Sequence, residues 1–232
     1  MSNIPWATWR VLLAASPVFL GGPALALLIT EGTLSGAALA AYDVAVRVVL
    51  PTICLALLLT RSGLTIRELG FPSKMRGNLS VAEFIAAAFI SSFLCYTWVL
   101  FNNVLAVSMF SDIPPSRIDP LLVGGIPPIV AMIYYLSTAP FFEEVFYRGV
   151  LGAALLPDHA YAPITYILVS AVLFGAAHAT NGEYYSFVST AYFGAVAATI
   201  FVVTRNIWLV IIPHFVTDLV VMAWNYSQSG TF

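Results

Sequence analysis

The sequence predicts an all-α fold, a polytopic membrane bundle of about eight transmembrane helices. Of its 232 residues, 60% are hydrophobic and 9% are charged, whereas a typical soluble domain carries about 25% charged residues. The hydrophobic residues fall into runs of about 20, the length that a helix needs to cross a bilayer. We find no internal repeat, low-complexity tract or soluble domain between these runs. We therefore predict a single membrane domain over residues 1–232.

Polar breaks divide the hydrophobic runs into eight predicted spans. The spans cover residues 9–30, 38–60, 80–109, 121–138, 141–157, 161–179, 184–204 and 206–226. We interpret the first run as a span because it is long for a signal peptide and further hydrophobic runs follow it. The fourth and fifth runs could instead form one long kinked helix, which would leave seven spans. We favour two helices, because Thr138 suits an N-cap and Pro140 suits a first helical turn.

The loops between the spans predict the orientation in the membrane. The loops on the side of the N-terminus carry five basic residues, Arg10, Arg61, Arg67, Lys74 and Arg76. The loops on the opposite side carry Arg117 and Arg205. The positive-inside rule therefore predicts a cytoplasmic N-terminus. With eight spans the C-terminus is also cytoplasmic, whereas with seven spans it lies outside.

Charge and cysteine usage exclude two kinds of partner. The formal net charge of −2 offers no basic stripe, so we expect no nucleic-acid partner. Cys54 and Cys95 both lie in apolar segments and indicate no zinc–thiolate cluster.

The longest polar connection, residues 61–79, is predicted to contain a short interfacial helix that ends at Gly-Phe-Pro.

Two adjacent glutamates and an arginine interrupt one hydrophobic run, in the stretch FFEEVFYRG at residues 141–149. An ionisable residue at the centre of a spanning helix costs about 2.5–3.5 kcal/mol, so such residues indicate functional sites. Glu144 and Arg148 are four residues apart on one helix face and can neutralise each other. Glu143 points about 100° away and has no basic residue three or four positions from it. We predict one buried ion pair and one unpaired carboxylate suited to general acid–base chemistry.

Two further i, i+4 pairs, each containing a histidine, lie in later spans. Phe174 and His178 are four residues apart, and the small residues between them let a neighbouring backbone approach. His214 and Asp218 have the same spacing, and we expect Pro213 to kink that helix beside the histidine.

Chain length indicates which of these residues can meet. Glu143 lies 14 residues before Pro157, and His178 lies 18 residues after Ala160. At about 1.5 Å per residue, the two arms of this hairpin bring Glu143 and His178 to a similar depth. We expect helix tilt or the proline kink to bring His214 level with them.

The second span also carries a charged pair. Asp43 and Arg47 are four residues apart, so they share a helix face and can neutralise each other. We interpret this pair as structural.

The motifs EEVFYR, FGAAH and HFVTD resemble, in order and rough spacing, those of the CAAX-protease and bacteriocin-processing family of intramembrane endopeptidases. The resemblance covers residues 120–226, which would form the catalytic helices. It implies a peptidase related to the type II CAAX prenyl endopeptidase, with its active site within the membrane. The expected location is the cytoplasmic membrane of a prokaryote. The expected partners are the lipid bilayer and a membrane-associated peptide or protein substrate.

The resemblance also implies roles for the motif residues. Glu143 would activate a water with the help of His178. His214 and Asp218 would bind the developing oxyanion or orient the water. The residues supporting the site would be Glu144, Arg148 and Phe174. The position of Asp218 is often asparagine in this family. Since a charged aspartate cannot donate a hydrogen bond, Asp218 must be protonated, orient His214 or bind another group.

Two alternatives remain open at this stage. A zinc-dependent form of the same protease would use a typical ligand set of two histidines and a carboxylate, His178, His214 and Asp218. The compact H-E-x-x-H signature is absent, so we favour a glutamate mechanism without a cofactor. A non-catalytic membrane protein, such as a proton-coupled transporter or a bacteriocin-immunity binding protein, would also use buried acids and histidines. Transporters commonly contain inverted repeats, whereas these polar groups concentrate in the C-terminal half, which favours the protease.

Overall fold

The computed structural model describes residues 10–21, 36–109, 125–156, 162–179 and 184–229. Every regular element in these ranges is a helix, which confirms the predicted all-α bundle. The seven helices of the described residues are α1 (Arg10–Gly21), α2 (Gly36–Arg61), α3 (Val81–Met109), α4 (Pro128–Leu155), α5 (Ala162–His178), α6 (Tyr184–Thr204) and α7 (Trp208–Ser229). Four of them are long and apolar enough to cross a membrane: α2, the Val81–Asn102 part of α3, α4 and α6. These helices fit an integral membrane protein.

One helix takes the place of the fourth and fifth predicted spans. Because α4 is continuous, the favoured division into two helices is wrong and the single long helix is correct. Thr138 does not cap a helix, since its Oγ1 donates to the carbonyl oxygen of Tyr134, 2.7 Å away in the preceding turn. Pro140 lies inside the helix. Proline removes one backbone hydrogen bond there, and the packed neighbours of a membrane bundle tolerate that loss. Residues 121–124 and 157 of the two predicted spans lie outside the described ranges.

Two of the long helices contain a turn of π-helix. The π turn covers Ala45–Val49 in α2 and Val145–Val150 in α4. Turns of this kind are rare within α-helices and are frequent at functional sites. Each of them contains an arginine, Arg47 in α2 and Arg148 in α4. The backbone is therefore irregular at two charged residues that the sequence places within apolar spans.

The connection after α2 packs against the motif helix α4. Leu69 is only 1% exposed, and a Cβ atom added at Gly149 would lie 2.9 Å from the Leu69 carbonyl oxygen. The carbonyl oxygen of Gly70 accepts a hydrogen bond from the amide of Ile207 at 2.9 Å, which fixes this connection to the start of α7. Residues 66–70 form turns, so the predicted interfacial helix is wrong. The turns do end at Gly70, whose φ of +87° favours glycine.

Side-chain hydrogen bonds join α3 to α6. The indole of Trp98 donates to Ser189 Oγ at 2.8 Å, and Ser189 Oγ donates to Asn102 Oδ1 at 2.6 Å. The Tyr185 hydroxyl donates to the same oxygen of Asn102. Such polar contacts help to hold helices together in a bilayer. Apolar side chains gain little there by packing against one another, because the lipid tails around them are equally apolar.

Candidate active site

A fully buried ion pair forms the centre of the polar cluster, the group of ionisable side chains around Glu143 and Glu144. The side chains of Glu144 and Arg148 are both 0% exposed, and Arg148 Nε lies 3.1 Å from Glu144 Oε2. The pair predicted from the i, i+4 spacing is thus confirmed. The contact lacks hydrogen-bond alignment, and among the described residues neither Nη atom of Arg148 has a hydrogen-bond partner. The guanidinium carbon instead lies 4.5 Å from the centre of the Phe174 ring, where a cation–π contact stabilises the charge.

Glu144 also holds the ring of His214, which α7 brings to the same point. Glu144 Oε1 lies 2.7 Å from His214 Nδ1, and both groups are buried. A carboxylate only accepts hydrogen bonds, so Nδ1 carries the hydrogen and donates it. The opposite ring nitrogen, Nε2, therefore faces the remainder of the cluster.

Glu143 faces the imidazole rings of two other helices. Its Oε2 atom lies 3.7 Å from His178 Nε2 on α5 and 3.9 Å from His214 Nε2 on α7. These distances exceed those of direct hydrogen bonds, about 2.7–3.2 Å, and they allow a small polar molecule to contact all three atoms. The side chains of Glu143 and His178 are each 16% exposed, so the cluster is not sealed. The predicted proximity of Glu143 and His178 is confirmed, and His214 joins them.

The orientation of His178 is set by its own helix. Its Nδ1 atom lies 2.8 Å from the carbonyl oxygen of Phe174, one turn earlier in α5. Because a carbonyl oxygen can only accept, Nδ1 carries a hydrogen and donates it, and Nε2 faces Glu143. The centres of the Phe174 and His178 rings are 4.4 Å apart, in agreement with the predicted shared helix face.

Asp218 lies at the more open edge of the cluster. Its side chain is 30% exposed, and its Oδ2 atom lies 3.5 Å from His214 Nε2. The predicted proximity of His214 and Asp218 is thus confirmed. Nδ1, the other nitrogen of the ring, is held by Glu144. Glu144 therefore orients the His214 ring through Nδ1, and Asp218 approaches Nε2, the nitrogen that also faces Glu143.

A basic residue of α2 completes the cluster, and sequence reasoning missed it. Arg47 Nε lies 2.8 Å from Asp43 Oδ1, which confirms the predicted proximity of the pair. Arg47 Nη1 also lies 3.6 Å from Glu143 Oε1. The expectation that Glu143 is unpaired is therefore wrong, because its basic partner comes from a different helix. The signal that could have found this partner is the presence of a charged residue within an apolar span.

The segment that supplies both glutamates and both histidines matches a known family. Residues 125–220 match the family model described as Type II CAAX prenyl endopeptidase Rce1-like. Residues 125–220, the Rce1-like segment, are similar to that family. The match confirms the resemblance carried by the three motifs, and it implies an intramembrane CAAX peptidase that acts on a membrane-associated peptide or protein. No curated protein and no solved structure matches the chain.

The Rce1-like segment contains all the predicted site residues, from Glu143 to Asp218. Asp43 and Arg47 lie outside this segment, on α2. The polar cluster therefore combines the Rce1-like helices with one helix that precedes them in the chain.

The arrangement of the acids and histidines bears on the zinc-dependent alternative. Within the described ranges, no group of three or more His, Cys, Asp and Glu side chains has an arrangement that could hold a metal ion. This includes the ligand set considered from the sequence, His178, His214 and Asp218. The Nε2 atoms of the two histidines instead converge on Oε2 of Glu143.

Proposed function

We propose that this protein is a glutamic intramembrane endopeptidase in which Glu143 activates the attacking water. The observation that carries the proposal is the convergence of Glu143 Oε2 with the Nε2 atoms of His178 and His214, at 3.7 and 3.9 Å. A water between these atoms contacts a carboxylate base and an imidazole at once. These groups come from three helices, α4, α5 and α7, so the bundle itself sets their spacing.

Hydrolysis begins when Glu143 takes a proton from this water and the water oxygen attacks the scissile carbonyl carbon. His178 orients the water by accepting its second hydrogen at Nε2, since Nδ1 already donates to the Phe174 carbonyl. The C–N bond then breaks, and Glu143 gives its proton to the leaving nitrogen. The hydroxyl of the water ends on one product and its proton on the other, and Glu143 returns to its starting state.

His214 stabilises the negative charge that develops on the carbonyl oxygen. A protonated ring donates through Nε2 to this oxygen while Nδ1 remains bonded to Glu144. Carboxylate oxygens of Glu143, Glu144 and Asp218 lie 3.9, 2.7 and 3.5 Å from its ring nitrogens and support the imidazolium charge. Asp218 thus acts through its charge and does not need the N–H that an asparagine would donate. Glu144, held by Arg148, keeps the ring in this orientation.

The decisive variant is Glu143→Gln, which keeps the size of the side chain and removes the base. Purified protein in detergent is incubated with an internally quenched peptide that ends in a prenylated CAAX sequence, and products are identified by mass spectrometry. Unprenylated membrane peptides form a second set of probes. General base catalysis contributes about 10²–10⁴-fold, so we expect kcat to fall by that factor.

The matched control is Glu68→Gln, the same change at an exposed site in the connection after α2. It should cleave at the wild-type rate. Cleavage by Glu143→Gln at the wild-type rate, or no cleavage of any probe by the wild type, would refute the proposal.

The metal-free mechanism is tested separately by chelation. We expect purified protein to retain its rate after dialysis against 1,10-phenanthroline, and elemental analysis to find less than one equivalent of zinc. Loss of activity on chelation that added zinc restores would instead establish the zinc-dependent form of the protease.

A further inference from the structure

Arg47 is anchored on the side away from Glu143. Its Nε atom contacts Oδ1 of Asp43 at 2.8 Å, and the Asp43 side chain is 0% exposed. The other oxygen of Asp43, Oδ2, accepts a hydrogen bond from the Tyr134 hydroxyl of α4 at 3.1 Å. The guanidinium carbon of Arg47 lies 5.4 Å from the centre of the Tyr135 ring. Contacts with Asp43 and with the Tyr135 ring therefore restrict the guanidinium, although the side chain is 30% exposed.

The two oxygens of Glu143 have different partners. Oε1 lies 3.6 Å from Arg47 Nη1, whereas Oε2 faces both histidines. The last torsion of a glutamate side chain is broad, so a carboxylate without a fixed partner can rotate. A guanidinium at Oε1 restricts this rotation, because turning the carboxylate away would separate the opposite charges.

We propose that Arg47 is a positioning residue for the reaction. It holds Glu143 through Oε1, so that Oε2 remains directed at the water and the two imidazoles. The inference rests on the function proposed above. It adds α2, which precedes the Rce1-like segment in the chain, to the helices that form the proposed active site.

A merely structural pair would need Arg47 only to neutralise Asp43. That role is complete with the 2.8 Å contact, and it does not require the guanidinium to reach α4. The additional contact with Glu143 joins two helices that are long and apolar enough to cross a membrane, at positions away from their ends. Charge interactions are stronger there than at an exposed site, because little water screens them.

The test compares Arg47→Ala and Arg47→Lys with the wild type, using the prenylated and unprenylated peptides described above. A misplaced catalytic group costs up to about 10²-fold in rate, so we expect kcat of Arg47→Ala to fall by 10- to 100-fold with KM nearly unchanged. Arg47→Lys keeps the charge on a shorter group without the planar fork, and it should lose less. Millimolar methylguanidine should restore part of the kcat of Arg47→Ala.

The matched control is Arg61→Ala, at the exposed end of α2, which should behave like the wild type with and without methylguanidine. Folding of each variant is checked by thermal unfolding. A folded Arg47→Ala protein with the wild-type kcat, or one whose loss methylguanidine does not relieve, overturns the inference. If Arg47→Ala does not fold, Arg47→Lys decides: a lowered kcat supports the inference and an unchanged kcat overturns it.

Glu143→Gln is measured in the same series to separate the two proposals. If it is inactive while the Arg47 variants keep the wild-type kcat, only the positioning role fails. If it remains active, the proposed function fails and the positioning role fails with it.

Discussion

Replacing Glu144 with leucine should destabilise the protein more than replacing Arg148 with methionine, although the two residues form one ion pair. In Glu144→Leu, Arg148 keeps its ring contacts, but within the described residues its Nη atoms have no hydrogen-bond partner. In Arg148→Met, Glu144 keeps its 2.7 Å contact with His214 Nδ1. The charge that stays behind therefore keeps a hydrogen bond in the arginine variant, whereas in the glutamate variant it keeps only the ring contacts.

The magnitudes follow from these contacts. Removing one member of a buried pair costs about 3–5 kcal/mol when the other charge is left unpaired, and we expect this loss for Glu144→Leu. A hydrogen bond to a charged group contributes about 1.5–3 kcal/mol, so Arg148→Met should cost less by roughly that amount. The double variant removes both charges at once. It should be at least as stable as Glu144→Leu alone.

Thermal unfolding in detergent, followed by circular dichroism, ranks the three variants. For a chain of this size, 1 kcal/mol corresponds to a shift of about 2–4 °C in the midpoint. Arg61→Met, at an exposed position, is the matched control and should unfold with the wild type. A midpoint for Arg148→Met at or below that of Glu144→Leu would refute the argument that His214 compensates the remaining glutamate.

Two packing variants extend the same measurement. Gly149→Ala should cost about 1–3 kcal/mol, because its Cβ would lie 2.9 Å from the carbonyl oxygen of Leu69. An unchanged midpoint would mean that the connection can move away without loss. Asn102→Leu should also cost about 1–3 kcal/mol, because Tyr185 and Ser189 would lose their shared acceptor. If Asn102→Leu unfolds at the wild-type midpoint, the hydrogen bonds between α3 and α6 do not stabilise the fold.

The sequence was sufficient for features that depend on local spacing. Hydrophobic runs predicted the helical bundle, and i, i+4 spacing predicted the pairs of Glu144 with Arg148 and of Asp43 with Arg47. The helical rise also placed Glu143 level with His178, because two arms of known length leave one turn. The inferences from spacing needed no knowledge of which helices are neighbours, and the last one assumed only that two helices consecutive in the chain lie side by side.

Contacts between distant helices could not be predicted in the same way. Examples are the contact of Glu143 with Arg47 on α2 and the hydrogen bond between Glu144 and His214. Both depend on how the helices rotate and pack, which spacing within one helix does not determine. The division of α4 failed for a different reason. Thr138 and Pro140 are typical of a helix start, and the surrounding bundle overrides that local preference.

The π turn in α4 has a consequence for the chain length of this helix. A π turn closes hydrogen bonds between residues i and i+5, so it holds one residue more than an α turn, and deleting one residue from Val145–Val150 would let the stretch close as an ordinary α turn. A deletion between Glu144 and Arg148 would also leave these two residues three apart instead of four and shift their side chains against each other. The length of this stretch is therefore tied to the buried ion pair, in a way that substitution of its apolar residues is not.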